Sequence, residues 1–388
     1  MPDQSKSTGP LHGIRVLDFT ALLQGPLATQ VLADLGADVV KLEKQNGEWM
    51  RQYGIFMSRT HGETDAFLAF NRNKRSVEID LRDPVDLQRI LELVEKADVV
   101  VENFRPGVME RAGLGYETLR QRNQRLIYAA SSGYGRTGPY AKRPGQDYLV
   151  QALSGAAWLT GRRSDPPFVM ALAVTDQYTG LHLVVGILAA LQHRNRTGEG
   201  QRVDVDLLSC ILALQQQELT VYLNHRNSFE RAQANIGHPG ITAPCGIYAT
   251  QDGYMMLAMF PCPKLGAILG VDWLAAYDTN EKMFEARDTV HQLLSRHFAT
   301  QPTAHWIELL SANDVWCAPV RTYAELEDDP QIAHKRMFWD VPYAEGSKTY
   351  RTVGSPFSFS ASPVSVHRSA PRSGQHTDEF KARDIWKD

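Results

Sequence analysis

Two rhythms of apolar and polar positions run through the first half of the chain. Short apolar runs of strand length alternate with longer stretches in which apolar residues recur every three or four positions. Residues 15–19 (RVLDF) read as a strand, and over 26–35 Leu27, Val31, Leu32 and Leu35 share one helical face. Pro26 fits the first helical position, where its fixed φ is already helical and its missing N–H is not needed. Gly36 fits the end, because glycine takes the left-handed conformation without a Cβ penalty. A strand at 39–42 then completes a β-α-β unit, and the rhythm repeats: strand 76–80 (SVEID), amphipathic helix 84–96, strand 98–102 (DVVVE), strand 126–130 (LIYAA). Strands alternating with helices of this length predict an open parallel sheet, Rossmann-like, in an α/β domain.

Further on, Asp176 precedes a helical pattern that runs through Leu191, followed by a strand over 202–206 (RVDVD) and a helix over 207–223. The character changes near Asn224, with a polar stretch over 225–234 and a rigid turn at Gly237, His238, Pro239 and Gly240. Short strands at 246–248 and 254–258 with amphipathic helices follow to about Thr322. The expected division is a large α/β domain from 1–224 and 323–388, with a smaller α+β domain from 225–322 between them. From Gly354 the chain is rich in Ser, Pro and Arg and reads as an extended strap.

The 388 residues are 43% hydrophobic and 22% charged, with a formal charge of -3. That balance fits a packed globular protein and excludes bulk positive charge as a means of holding nucleic acid. The longest apolar run, 181–191 (LHLVVGILAAL), is shorter than a bilayer span and reads as a buried core helix, so no membrane partner is expected. The polar start MPDQSKSTGP has no apolar signal core, and Cys210, Cys245, Cys262 and Cys317 are widely spaced, so reduced thiols in the cytoplasm are expected.

Gly133, Gly135 and Gly138 spell GxGxxG after the strand at 126–130, but Pro139 and Pro144 leave little room for the helix that a dinucleotide fingerprint requires. A glycine-rich loop at a strand's carboxyl end is the expectation, and such loops border ligand crevices. Asp176 stands where the loop 171–175 gives way to a helix. That position suits a plain N-cap, favours the ionised carboxylate and brings backbone N–H groups near. A carboxylate there could also attack an activated acyl group. Lys44, Lys74, Arg75, Arg82, Arg105, Arg111, Lys142 and Arg143 fall in or near loops flanking the strands, where cations suit a phosphate-bearing ligand or plain solvation. No metal-binding spacing is visible, and no metal is expected.

Several ordered segments together resemble the class III CoA-transferase (CaiB/BaiF) family: GPLATQVLADLGADVVKLE, NKRSVEIDL, VVVENFRPGVMERAGLGYETL, SGYGRTGPY, DQYTGLHLVVGILAALQHRNRTGEGQRVDVDLL and the tail GQHTDE. The resemblance implies that Asp176 is the catalytic carboxylate, forming a mixed anhydride and then an aspartyl-CoA thioester as CoA moves from an acyl-CoA to a carboxylic acid. CoA would be a substrate, with no permanently bound cofactor. The resemblance places it against Leu23, Gln24, Lys44, the segment 79–82 with Ile79 and Arg82, and Asn103, Phe104, Arg105 and Arg111; Lys142 and Arg143 are added from the basic cluster. Gln146, Gly237, His238 and Gly240 fall at substrate-side positions, and Asp147 is expected to be structural or substrate-positioning. Related 2-methylacyl-CoA racemases use a histidine where this chain has Gln146, which cannot exchange a proton at neutral pH and weighs against that alternative. A CoA-binding protein without catalysis is the third reading. The family also implies an interlocked homodimer.

Overall fold

The computed structural model describes residues 9–53, 58–227, 229–343, 348–383 and 385–386. The chain separates into two compact units, one of Met1–Val150, Leu172–Leu214 and Pro330–Asp388, the other of Gln151–Ala171 and Gln215–Asp329. The second unit therefore takes residues 151–171, 215–224 and 323–329 in addition to the expected 225–322. One cause is local: the helix expected over 207–223 breaks at Gln215 into Leu207–Leu214 and Gln216–His225, and the chain passes between units at that break.

The first unit is built on a six-stranded parallel sheet. Its strands are β1 (Arg15–Asp18), β2 (Asp38–Glu43), β3 (Lys74–Glu78), β4 (Val99–Glu102), β5 (Ile127–Ser132) and β6 (Arg202–Asp206). They lie in the order 3-2-1-4-5-6, the order of doubly wound dinucleotide folds. Period-two alternation sends successive side chains to opposite faces. Leu17, Val40, Val100 and Tyr128 pack on one face with Ile90 and Val94 of the helix Pro84–Lys96. Val16, Val39, Val99 and Ile127 pack on the other, against α1 (Gln24–Asp34) and α2 (Val174–Thr197).

α1 starts two residues before the expected Pro26, and Gly36 ends it at φ +106° as expected. α2 is longer than the 181–191 run: 24 residues, apolar enough by composition alone to cross a bilayer. It is only half a core helix. Leu183, Val184, Ile187 and Leu191 are buried on the sheet, while Leu181, Val185 and Leu188 stay 44%, 63% and 36% exposed. The close approach of α2 to α1 requires Gly180, where a Cβ would lie 2.6 Å from the carbonyl oxygen of Gln24.

β3 begins at Lys74 rather than at the expected residue 76, and the shift matters because charged residues then lie within the strand. Lys74 is fully buried, and its Nζ lies 3.2 Å from Asp18 while donating to Pro26 O and Asn71 Oδ1. Arg75 grips Asp38 with two contacts of 2.7 and 2.6 Å. Neither is a loop cation. The tail covers the outer edge of β3: Asn73 N donates to Arg368 O and its Oδ1 accepts from His367 N and Arg368 N, Ser76 N donates to His376 Nδ1 and its O accepts from His376 N, and Glu78 N donates to Thr377 Oγ1. An edge strand so covered cannot recruit another chain.

The second unit centres on a three-stranded antiparallel sheet of Gly246–Ala249, Tyr254–Leu257 and Cys317–Pro319, close to the strands expected there, backed by Leu294 and Phe298 of Arg287–Phe298 and Leu310 of Thr303–Ala312. The hairpin Phe338–Tyr343 with Lys348–Val353 belongs to the first unit.

Lys74→Met leaves Asp18 without its direct ionic partner in a dry interior. It should destabilise the fold by about 3–5 kcal/mol, read as a lowered midpoint in thermal or urea unfolding; an unchanged midpoint would show that Asp18 is compensated elsewhere.

Candidate active site

The loop after β1 is fixed by side chains rather than by a regular backbone pattern. Thr20 N donates to Asp18 Oδ1 (2.8 Å) and Thr20 O accepts from Lys41 Nζ (2.6 Å). Ala21 is clamped by Asn103, whose Oδ1 accepts from Ala21 N (2.9 Å) and whose Nδ2 donates to Ala21 O (2.8 Å). Leu22, in the left-handed region at φ +70°, donates its N–H to Glu48 Oε2. Beneath the loop lies a buried ionic cluster of Lys41, Lys74 and Arg51 with Asp18, Glu43 and Glu48, all 5% exposed or less. Lys41 pairs with Glu48 at 2.8 Å and Arg51 with Glu43 at 2.6 Å. Burial works against ionisation of Asp18, yet Lys74 and Lys41 hold its carboxyl below the usual range. Burial brings Lys74 down to about 8, with Asp18 pulling the other way.

This loop borders a cleft of about 530 Å³ at the carboxyl ends of the strands, lined among others by Thr20, Lys44, Trp49, Ile79, Arg82 and Phe104. β1 and β4 adjoin there, and their connections leave to opposite sides, which is where doubly wound sheets hold ligands. Of the expected CoA-contacting residues, Lys44, Ile79, Arg82 and Phe104 line the cleft together. Asn103 stands at its edge with both amide groups engaged by Ala21, so it acts on the loop. Arg82 also pairs with Asp80 at 3.1 Å. Leu23 is the residue before α1 and Gln24 its first; Ser131 Oγ donates to Gln24 Oε1, which leaves the amide NH2 available. Arg105 and Arg111 are exposed on the segment following β4.

Lys142 and Arg143 are exposed on the loop after β5, Arg143 over the ring of Tyr140. The GxGxxG segment is this loop, with no helix opening in it. Gly133 and Gly145 lie back to back, so a Cβ at Gly145 would approach the Gly133 Cα to 2.4 Å. Gln146 follows, exposed, and its carbonyl accepts from Leu149 and Val150 at the start of α3 (Asp147–Leu153). Gly237, His238 and Gly240 belong to the second unit, where His238 Nδ1 accepts from Gly240 N and His238 Nε2 lies 3.1 Å from Glu218.

Asp176 differs from the expectation in two respects. It is the third residue of α2 rather than its cap, because the cap comes from another helix: Asp147 Oδ2 accepts from Thr175 N (2.8 Å) and Asp176 N (2.9 Å). The N–H groups of this turn are therefore not offered to the Asp176 carboxylate. Burial, and then the Asp147 charge, push its carboxyl up to about 7. Among the described residues its side chain has no hydrogen-bond or ionic partner. Gly180, one turn on, rests on Gln24, so the Asp176 turn adjoins the start of α1. The capping role of Asp147 was open to sequence reasoning only as a general structural expectation, since the spacing does not show which helix it would cap. All four cysteines are free; Cys210, Cys245 and Cys262 are buried, and burial raises Cys262 to about 11.

The chain belongs to CoA-transferase family III, whose profile it matches over residues 11–377. It is 35% identical to a succinate–glutarate CoA-transferase of Agrobacterium fabrum, over 98% of this chain and 97% of that one. It is 35% identical to a succinyl-CoA:mesaconate CoA-transferase of Haloarcula hispanica, over 96% of each. Among solved structures it is similar to a CAIB/BAIF family protein from Brucella suis, at 32% identity and a TM-score of 0.85, covering 97% of this chain and 99% of that one.

A carboxyl raised from its ordinary value near 4 to about 7 keeps its proton in the folded chain while the unfolded chain has released it, so stability falls as pH rises across that window. Asp176→Asn should therefore raise the thermal midpoint above that of the parent at about pH 8 and leave it unchanged at about pH 4. Equal midpoints at both would show that Asp176 titrates normally.

Proposed function

We propose that this family III CoA-transferase moves CoA from an acyl-CoA to a free carboxylic acid through covalent intermediates on Asp176. The observation that carries this reading is the unpartnered, partly dehydrated carboxylate of Asp176 in the first turn of α2. Stripped of solvating donors, its ionised form is a stronger nucleophile than a carboxylate in water.

In the proposed reaction a carboxylate oxygen of Asp176 attacks the thioester carbonyl, the C–S bond breaks, and CoA leaves as thiolate. The thiolate attacks the Asp176 carbonyl of the anhydride, giving aspartyl-CoA and releasing the donor acid. The acceptor carboxylate then displaces CoA from Asp176, and the thiolate attacks the acceptor side of the new anhydride. The products are the new acyl-CoA and the free Asp176 carboxylate. Each step exchanges one activated acyl group for another, so little free energy is gained or lost.

The N–H groups of Thr175 and Asp176 are already engaged by Asp147, so another donor must meet the developing oxyanion. The Gln24 amide, held through Ser131 with its NH2 available, suits that role. Lys44, Arg82, Arg105, Arg111, Lys142 and Arg143 suit the phosphates of CoA, with Ile79 and Phe104 against its apolar parts. Gln146, Gly237, His238 and Gly240 remain candidates for the substrate side. The names of the relatives point to short dicarboxylates as the first acids to test.

The exposed stripe Leu181, Val185 and Leu188 on α2 supports a homodimer, and we read it as the interlocked dimer that the resemblance implies. Val185→Asp should convert a species of twice the chain mass to monomer or aggregate in light scattering. A wild-type chain that runs as a monomer would refute the dimer.

After incubation with an acyl-CoA, intact-mass spectrometry should find a CoA adduct on the wild-type chain. Asp176→Ala should lack it and lose transfer by about 10³-fold or more. Transfer at an undiminished rate would remove Asp176 from the mechanism, and α-carbon deuterium exchange without an acceptor acid would identify a racemase instead.

A further inference from the structure

A second cleft, also about 530 Å³, lies at the opposite end of the parallel sheet from the cleft proposed for CoA. It is framed by residues at the amino ends of the strands, Arg15, Asp38, Arg75 and Asp98, together with Lys96 and with Arg368 from the tail. Open α/β folds place their substrates at the carboxyl ends, so nothing in the transferase chemistry accounts for this cleft.

Its charges do not balance internally. Asp38 is taken by the paired contacts of Arg75, and Asp98 by Arg194 at 2.8 Å and by the N–H of Arg15. Among the described residues Lys96 and Arg368 have no ion-pair partner. Arg75 is 8% exposed, donates to Asp38 and Ile385 O through its terminal nitrogens, and lies 3.7 Å from Glu379, which together with Asp38 also attracts Arg368. Even with Glu379 counted, Arg15, Arg75, Lys96, Arg194 and Arg368 outnumber Asp38, Asp98 and Glu379, and a concave, water-accessible site with surplus guanidinium and ammonium groups attracts anions that can take paired N–H donors.

Arg368 is placed there deliberately by the backbone. Asn73 Oδ1 accepts from His367 N (2.9 Å) and Arg368 N (3.0 Å), and Asn73 N donates to Arg368 O (2.9 Å). The strap thus carries one cation to a cleft whose other cations belong to β1, β3 and the end of the helix Pro84–Lys96.

We propose that this cleft is a binding site for a small multivalent anion bearing phosphoryl or carboxylate groups, held between the strands and the tail strap. The anion supplies the counter-charge for Lys96 and Arg368 and fastens the strap to the sheet. It binds independently of CoA, because the two clefts are at opposite ends of the strands.

The test uses the full chain in a buffer free of phosphate, sulfate and citrate, with inorganic pyrophosphate and citrate as probes. Calorimetric titration should give saturable binding of at least one probe, accompanied by a raised thermal midpoint. Tighter binding of pyrophosphate assigns phosphoryl ligands, and tighter binding of citrate assigns carboxylates. Arg368→Ala should weaken binding at least about tenfold, the loss of one charge-assisted contact, while Arg368→Lys restores part of it. CoA transfer should be unchanged in both variants. Absence of saturable binding, equal binding by Arg368→Ala, or displacement of the probe by saturating CoA would each overturn the proposal.

Discussion

Everything at the carboxyl end of the sheet depends on how the backbone of Thr20, Ala21 and Leu22 is held. Both polar backbone groups of Thr20 and of Ala21, and the N–H of Leu22, are met by side chains: Asp18, Lys41, Asn103 and Glu48. These arrive from β1, β2, the end of β4 and the segment after β2, so the loop registers four parts of the unit against one another. Burying ionised groups is expensive, and a hydrophobic cluster of similar volume would often be as stable. What the charged cluster adds is direction, since each donor and acceptor accepts only one geometry. A residue such as Leu22, which has no conformational preference for φ +70°, stays there because its N–H is tied to Glu48.

The opposite strategy governs Asp176. Where the loop receives a partner for each of those five groups, the Asp176 carboxylate receives none, and the donors that its helix could have offered go to Asp147. The two carboxylates divide the work of a helix N-terminus. Asp147 takes the stabilising hydrogen bonds, and its charge makes the neighbouring site less favourable for a second anion. A largely buried carboxyl without a partner costs local stability, and the cross-helix cap supplies a compensating interaction nearby.

The alternation of apolar runs made the parallel sheet legible, because β1, β2, β4 and β5 are buried on both faces and therefore nearly continuous in apolar character. β3 was harder to bound. In NKRSVEID the charged Lys74 and Arg75 look like the loop before a strand, whereas ionic partners from β1 and β2 allow them inside it. No local pattern announces a partner more than thirty residues away. The break at Gln215 is hidden in the sequence for a related reason: both halves have helical period, and only tertiary packing separates them. Asp176 itself was found by resemblance and by its place before a helix, but its lack of partners and the role of Asp147 depend on how α3 meets α2. Lys44, Ile79, Arg82 and Phe104 come from three separate strand ends, and the strand order is what gathers them.

The position of Asp176 rests on α2, and α2 is secured by its own chain on one side only. Gly180 and the buried row Leu183, Val184, Ile187 and Leu191 fix it to α1 and the sheet, while Leu181, Val185 and Leu188 face outward at the spacing of a second packing surface. A helix with two apolar rows and one occupied is complete only when something covers the other. In the proposed dimer the second copy supplies that cover, and the same contact that joins the chains would hold the turn carrying Asp176 in place. Assembly and the placement of Asp176 would then be coupled through one helix, since loosening the outer row frees the element whose Gly180 rests on Gln24. A helix of this length can hold an unpartnered carboxyl in its first turn. The buried row behind it anchors the helix to the sheet, and fraying of its first turn is opposed by the Asp147 cap.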